Sequence, residues 1–437
     1  MPKAARYLTL RPGSTLDRAV GLMFASSAMT RRRLIGRPLL VAWVMLLVLS
    51  ASPAVAIPGA RDRSFSGNGV AFVRFGPTAF GDAAALDSVG RLVVAGSSNY
   101  RALLARLLPS GALDPSFGGD GKVRLPNGVI KDIALMPDGR IVGVGLDRDG
   151  WYVVMVTPSG EPDATFGTGG VAEVAYNDGG AEGVAVDPQG RVVAVGVRND
   201  DAAVARYLPT GRLDPTFSGD GRRVVPLGQT GVPLSYDRFY DVALAPGGDL
   251  VVAGDVDAGS IGVVKLDDSG DLVGAFGDGG SVVQRIGVYS YGGSLLVEDD
   301  RIVVGAHIEL GVHVLAYTGD GAPDATFGGG DGIVRIGPTH LQAQGTAIAS
   351  TPAGGYVLAG AVVLSEESDV MVGRLDHDGV PDPTFTDAAF GAGLRIVRLP
   401  RHNLPSDVAV RPDGRIVVSG TRSGGPRIKM EILQLQG

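Results

Sequence analysis

The 437-residue sequence contains no cysteine, which excludes disulfides, thiolate zinc sites, iron–sulfur clusters and covalently attached haem. Stability must therefore come from burial and backbone pairing. Aromatic residues are scarce at 6%, and Trp43 and Trp151 are the two tryptophans. No Gly-x-Ser-x-Gly elbow occurs and no glycine cluster precedes a helical stretch, so the hydrolase and nucleotide-binding motifs are missing. The five histidines (His307, His313, His340, His377, His402) are scattered without ligand spacing and read as loop or surface residues.

Charge is divided unevenly. Residues 1–56 carry eight Lys/Arg against one acid, Asp17; their net +7 leaves −14 on residues 57–437 of a chain whose total is −7. A body this acidic repels phosphate backbones, which argues against nucleic acid as a partner. Basic Met29–Arg37 leads into Leu39–Ser50, an apolar run of twelve, and then to Ala54-Val-Ala56. Charged region, short apolar core and small-x-small exit make a secretory signal, with cleavage expected after Ala56. A membrane anchor fits less well, because the run falls short of the ~20 residues that span a bilayer. Thr30–Ile35 resembles a twin-arginine export signal. Residues 1–28 fit neither signal nor domain, so Met23 and Met29 stand beside Met1 as candidate starts. The expected product, residues 57–437, is a secreted or cell-surface monomer with no transmembrane segment.

What the sequence has in excess is glycine, 68 residues, and a repeat. An Asp-x-Ser/Thr-Phe turn recurs as Asp62–Phe65, Asp114–Phe117, Asp163–Phe166, Asp214–Phe217, Asp324–Phe327 and Asp382–Phe385, with Val273–Phe276 as a degenerate copy. The seven Phe lie 52, 49, 51, 59, 51 and 58 positions apart. Each unit carries four strand signals, as in Gly121–Leu125 or Gly170–Val174, Asp132–Leu135, Arg191–Gly196 and Ala202–Tyr207. Asp and Pro in the turns suit type I geometry, and glycine supplies the positive φ of tight links. Runs such as Val192-Val-Ala-Val195 do not alternate, so those strands are apolar on both faces, as where sheet stacks on sheet. Four-stranded antiparallel sheets of ~50 residues hiding both faces predict an all-β fold, a seven-bladed β-propeller. The chain opens on one strand, Gly69–Arg74, and ends on three, so the N-terminal strand is expected to complete the last blade and remove a free edge.

The unit resembles the delta-60 repeat, in its Asp-Pro-Ser/Thr-Phe-Gly turn, its Gly-Asp-Gly before a strand and its Pro-Asp-Gly-Arg-Ile-Val-Val-x-Gly. The resemblance covers residues 62–437 and implies a bacterial extracellular propeller, with no activity and no catalytic motif. Val273 replaces the turn Asp, and Glu298–Arg301 replaces Pro-x-Gly-Arg, so the fourth and fifth blades depart most from the pattern.

Candidate sites follow from loops and carboxylates. Asp120, Asp220, Asp278 and Asp331, near Asp114, Asp214 or Asp324, offer paired hard oxygens for Ca²⁺, though Asp-Gly is equally plain turn chemistry. The repeat-signature turns are nearly uniform, whereas the links of the opposite face vary. Leu227 to Phe239 holds Tyr236, Asp237 and Arg238; Gly337–Gln344 holds His340; Arg401–Asn403 holds His402; and Leu364–Asp369 is acidic. Asp132, Asp241 and Asp407 stand at the start of three inner strands, near the expected channel mouth. Variable loops on a rigid scaffold are where binding sites concentrate. The reading is a non-enzymatic scaffold that binds a protein or glycan. The alternative is an enzyme with a small-molecule site in the funnel, Ca²⁺-assisted through those aspartates. No cofactor other than Ca²⁺ is suggested.

Overall fold

The computed structural model describes residues 57–125, 127–227, 237–257, 259–287, 290–308, 311–337, 342–364 and 366–437. Residues 1–56, where the signal sequence is expected, lie outside them, as do Tyr236 and His340.

The described residues form strands and turns with no helix, arranged as a seven-bladed propeller of mostly four-stranded antiparallel sheets. The first full blade pairs Phe80–Leu86, Leu92–Ser98, Arg101–Leu107 and Lys122–Arg124 in that order. The seven innermost strands are Phe80–Leu86, Val129–Leu135, Gly180–Val186, Arg238–Leu244, Ser290–Val297, Gln342–Ser350 and His402–Val410. In the last sheet, Val70–Val73 pairs antiparallel with Lys429–Leu435, Val70 opposite Leu433 and Val73 opposite Met430.

The core lies between blades. Seven hydrophobic layers each join two neighbouring sheets, and each contains one of the seven repeat Phe residues. All seven rings are buried. This explains why the middle strands do not alternate: Val192 to Val195 are buried without exception, because both faces meet a neighbouring sheet.

The turn that delivers each Phe is built on its Asp. Asp114 Oδ1 accepts from the N–H and hydroxyl of Ser116 at 3.0 and 2.7 Å, while Oδ2 accepts from Arg106 Nε at 2.8 Å. Asp214 repeats the arrangement with Thr216 and Arg206. Where the third strand lacks that Arg, one from the start of the second strand substitutes: Arg140 reaches Asp163 at 3.2 Å and Arg301 reaches Asp324 at 2.6 Å. Arg106 and Arg206 also lie over the Phe117 and Phe217 rings at 4.7 and 4.8 Å. The degenerate copy keeps its turn through the backbone alone, Phe276 N–H donating to the Val273 carbonyl at 2.8 Å. The fourth and fifth blades, despite their departures, are complete four-stranded sheets.

One expectation is corrected. Gly170–Val174 reads as a strand, yet the second sheet has three strands, Val129–Leu135, Ile141–Leu146 and Trp151–Val156. Val171 makes an isolated bridge to Val154, and Ala172 N–H reaches the Val153 carbonyl at 2.9 Å. The next bond then skips ahead, Trp151 N–H donating to Tyr176 O at 2.9 Å, while Glu173 N–H turns to Gly211 O of the following blade. Two extra residues are looped out here. Trp151 and Tyr176 fill the space edge to face, centroids 4.9 Å apart.

Candidate functional site

Each inner strand carries one β-bulge, between Gly81 and Ala83, Ile130 and Asp132, Phe239 and Asp241, Gly292 and Ser294, Gln344 and Ala347, and Pro405 and Asp407, with the same irregularity opposite Val195 and Gly196. The bulge has a sequence signature that reading by composition misses, a glycine on the second strand at the level of the bulge, as at Gly96, Gly145, Gly196, Gly254, Gly305, Gly360 and Gly420. A Cβ on Gly145 would stand 1.9 Å from the Val129 carbonyl oxygen, and one on Gly254 1.8 Å from that of Arg238. Only glycine admits the inner strand's carbonyl so close.

The bulges place polar side chains around the axis. Asp82, Lys131, Glu182, Tyr240 and Ser406 occupy bulged positions, and Asp132, Asp241, Ser294 and Asp407 the positions that follow; together they line a cavity of about 200 Å³. The three aspartates are therefore inside their strands, on the channel wall, and not at the strand starts. The strand continues N-terminal to them because the bulge lets the pairing resume while turning polar groups toward the channel.

Their carboxylates clip neighbouring blades together. Asp132 Oδ2 accepts from Val184 N–H at 2.9 Å, Asp241 Oδ2 from Leu295 N–H at 2.8 Å and Asp407 Oδ2 from Ala84 N–H at 2.7 Å, each donor lying on the next inner strand. Oδ1 of each accepts the N–H of the following residue, Ile133, Val242 or Val408, at 2.7 Å. Ser294 does the same with a hydroxyl, accepting from Ile348 N–H at 3.0 Å.

Burial dominates the electrostatics. It pushes the Asp132 carboxyl well above its ordinary range, and the charges of Asp241 and Asp407 add to it. Burial raises Asp241 to about 7 against the N–H bonds of Leu295 and Val242, and Asp407 to about 6 against those of Ala84 and Val408. Asp82 and Glu182 are also raised by burial; Lys131, 3.4 Å from Asp82, eases the first, and Arg238, 3.2 Å from Glu182, eases the second. Among the described residues no three His, Asp or Glu side chains form a group that could hold a metal ion. In the repeat turns Asp120 accepts from Lys122 N–H at 3.1 Å and Asp114 is occupied as above.

The loop candidates separate. Asp237 is buried, Oδ2 accepting from Leu227 N–H at 2.8 Å and Oδ1 from Asp257 N–H at 3.3 Å. Arg238 lies over the Tyr240 ring at 5.8 Å while pairing with Glu182, so it belongs to the channel wall. His402 is half-buried at the start of its strand, beside Gly424. Next to it opens a concavity of about 430 Å³ lined by Arg74, Arg401, Arg422, Arg427 and Lys429. Arg401, Arg422, Arg427 and Lys429 lie close together in the sequence, and Arg74 joins them through the pairing of Val70–Val73 with Lys429–Leu435. On the repeat-turn side a larger concavity, about 780 Å³, lies between the two degenerate blades and includes Glu298, Asp299, Asp300 and Asp320.

A family model described as Domain of unknown function (DUF5122) beta-propeller matches residues 90–117 and 188–217. Both stretches run from the turn before a second strand to the repeat Phe. No curated protein matches the sequence. Among solved structures, virginiamycin B lyase from Staphylococcus aureus is similar at a TM-score of 0.51 and 11% identity, over 84% of this chain and 99% of that one. Sqt1 from Chaetomium thermophilum is similar at a TM-score of 0.47 and 14% identity, over 84% and 97%. At such identities the likeness to the lyase is one of fold.

Proposed function

We propose that this chain is an exported, non-catalytic binding propeller of the delta-60 type, taking a protein or glycan ligand outside the cell on its loop-rich face. One observation carries the reading. The carboxylates that would have to serve as catalytic or Ca²⁺-binding groups, Asp132, Asp241 and Asp407, are each anchored at both oxygens by backbone N–H groups of two blades. That geometry suits fasteners of a rigid scaffold, and rigid scaffolds present ligands to their variable loops. Export removes residues through Ala56 and leaves Ile57 first, which N-terminal sequencing of secreted protein checks.

The second reading, an enzyme with its site in the funnel, is favoured by the raised carboxyl pKa values in one cavity, since such shifts gather at active sites. Glycan-array binding followed by mass analysis of the bound glycans separates the two. Bound glycans of unchanged mass, retained by a folded Asp407→Asn protein, support the scaffold. A cleaved or eliminated product that disappears in Asp132→Asn overturns it.

A further inference from the structure

The last blade holds five cations around one concavity on a body of opposite charge. Residues 57–437 carry a net −14, yet Arg74, Arg401, Arg422, Arg427 and Lys429 converge on about 430 Å³. They arrive on three neighbouring links of the loop-rich face: the end of Val70–Val73, the entry to His402–Val410 and the connection between Ile416–Ser423 and Lys429–Leu435. Glu431 is the one carboxylate paired with any of their side chains among the described residues, its Oε1 3.5 Å from Arg422 Nη1.

The cluster is held open against its own repulsion. Lys429 Nζ and the Arg422 guanidinium both lie over the Phe72 ring, at 4.3 and 5.1 Å. Arg401 sits at φ +76°, a region costly for a residue with a Cβ, and its guanidinium donates to the Gly424 carbonyl at 3.1 Å. Arg422 Nε is buried with no acceptor. Burial lowers the Lys429 ammonium's pKa, and Arg74, Arg422 and Arg401 depress it further, with Glu431 opposing them. Guanidinium forks and an ammonium gathered in one cleft with a single carboxylate partner are the donor set that tetrahedral oxyanions satisfy, the forks bidentately.

We propose that this concavity binds a phosphate-type oxyanion esterified to a sugar-sized body. Its volume falls within the roughly 300–1,000 Å³ of small-ligand sites, which a bare oxyanion would leave largely empty. The surrounding negative charge repels an extended polyphosphate while leaving the cleft open to a compact anion. The inference rests on the binding reading above only for the choice of face.

Calorimetry on the purified protein tests it, with inorganic phosphate, sulfate, glucose 6-phosphate and glucose as probes at an ionic strength matched with sodium chloride. Phosphate and sulfate bind saturably and raise the melting midpoint; glucose does not; glucose 6-phosphate binds at least as tightly as phosphate. Arg427→Gln and Lys429→Gln each weaken binding about tenfold, the loss of a charge-assisted contact. Neither lowers the midpoint of the ligand-free protein, because each relieves like-charge repulsion. Chloride matching phosphate, exclusion of glucose 6-phosphate, a single-stranded oligonucleotide binding tighter than it, or affinity within twofold of wild type in both variants would each overturn the proposal. Such a failure leaves the scaffold reading standing, since that is judged on glycan mass and on the channel aspartates.

Discussion

Raising the pH from about 4.5 to about 7.5 ionises the channel carboxylates, and it should destabilise this propeller. In the unfolded chain Asp241 and Asp407 lose their protons near 3.8; in the folded one they do so at about 7 and about 6. Between those values the folded state binds more protons than the unfolded state, so stability is full below the window and falls as pH rises through it. At about 1.4 kcal/mol per pKa unit the ceilings are about 4 kcal/mol for Asp241 and about 3 kcal/mol for Asp407, less whatever channel water screens. Glu431, raised to about 7 by burial, works in the same direction. The turn aspartates act oppositely and lower down. The Thr165 hydroxyl holds Asp163 below its ordinary value despite burial, and in Asp114 and Asp214 burial is outweighed by Ser116 or Thr216 and an arginine. Their stabilisation is lost only as pH falls below about 4. Maximum stability therefore lies near pH 4 to 5. Urea unfolding midpoints at pH 4.5 and 7.5 measure it, and Asp241→Asn, which keeps an acceptor oxygen, should narrow the difference between them. A wild-type midpoint that is equal or higher at pH 7.5 would refute the reasoning.

Three further outcomes are expected. Phe217→Ala should lose roughly 3–5 kcal/mol in chemical denaturation, because it empties an inter-blade layer, whereas His402→Ala should stay within about 0.5 kcal/mol; equal effects would deny the Phe its place. Gly145→Ala should fail to fold or lose several kcal/mol, since its Cβ would overlap the Val129 carbonyl, while Gly119→Ala, with open space and φ +83°, should lose only about 1–2 kcal/mol. Deleting residues 57–76 should bare the Met430–Leu433 edge that Val70–Val73 now pairs, and light scattering should report aggregation; a monomer with an unchanged melting temperature would mean that the strand does not complete the ring.

The sequence by itself determined the architecture. Seven Phe at near-regular spacing, each behind an Asp-x-Ser/Thr turn, and strands apolar on both faces leave few solutions except sheets stacked radially, because local turn chemistry and two-sided burial are both written in neighbouring residues. It also located Asp132, Asp241 and Asp407 on the inner strands. It could not give their role, since that depends on a bulge defined by a glycine on another strand and on N–H groups some fifty or more residues away, as between Asp132 and Val184. Nor could it read the second blade's missing outer strand, where Gly170–Val174 has strand composition but Glu173 finds its partner in the next blade. The basic concavity is legible only in part. Arg401, Arg422, Arg427 and Lys429 are near one another in the sequence, but that their links open on one cleft, and that Arg74 joins them there, is decided by the tertiary structure, because the pairing of the first strand with the last sets like charges from distant parts of the chain side by side.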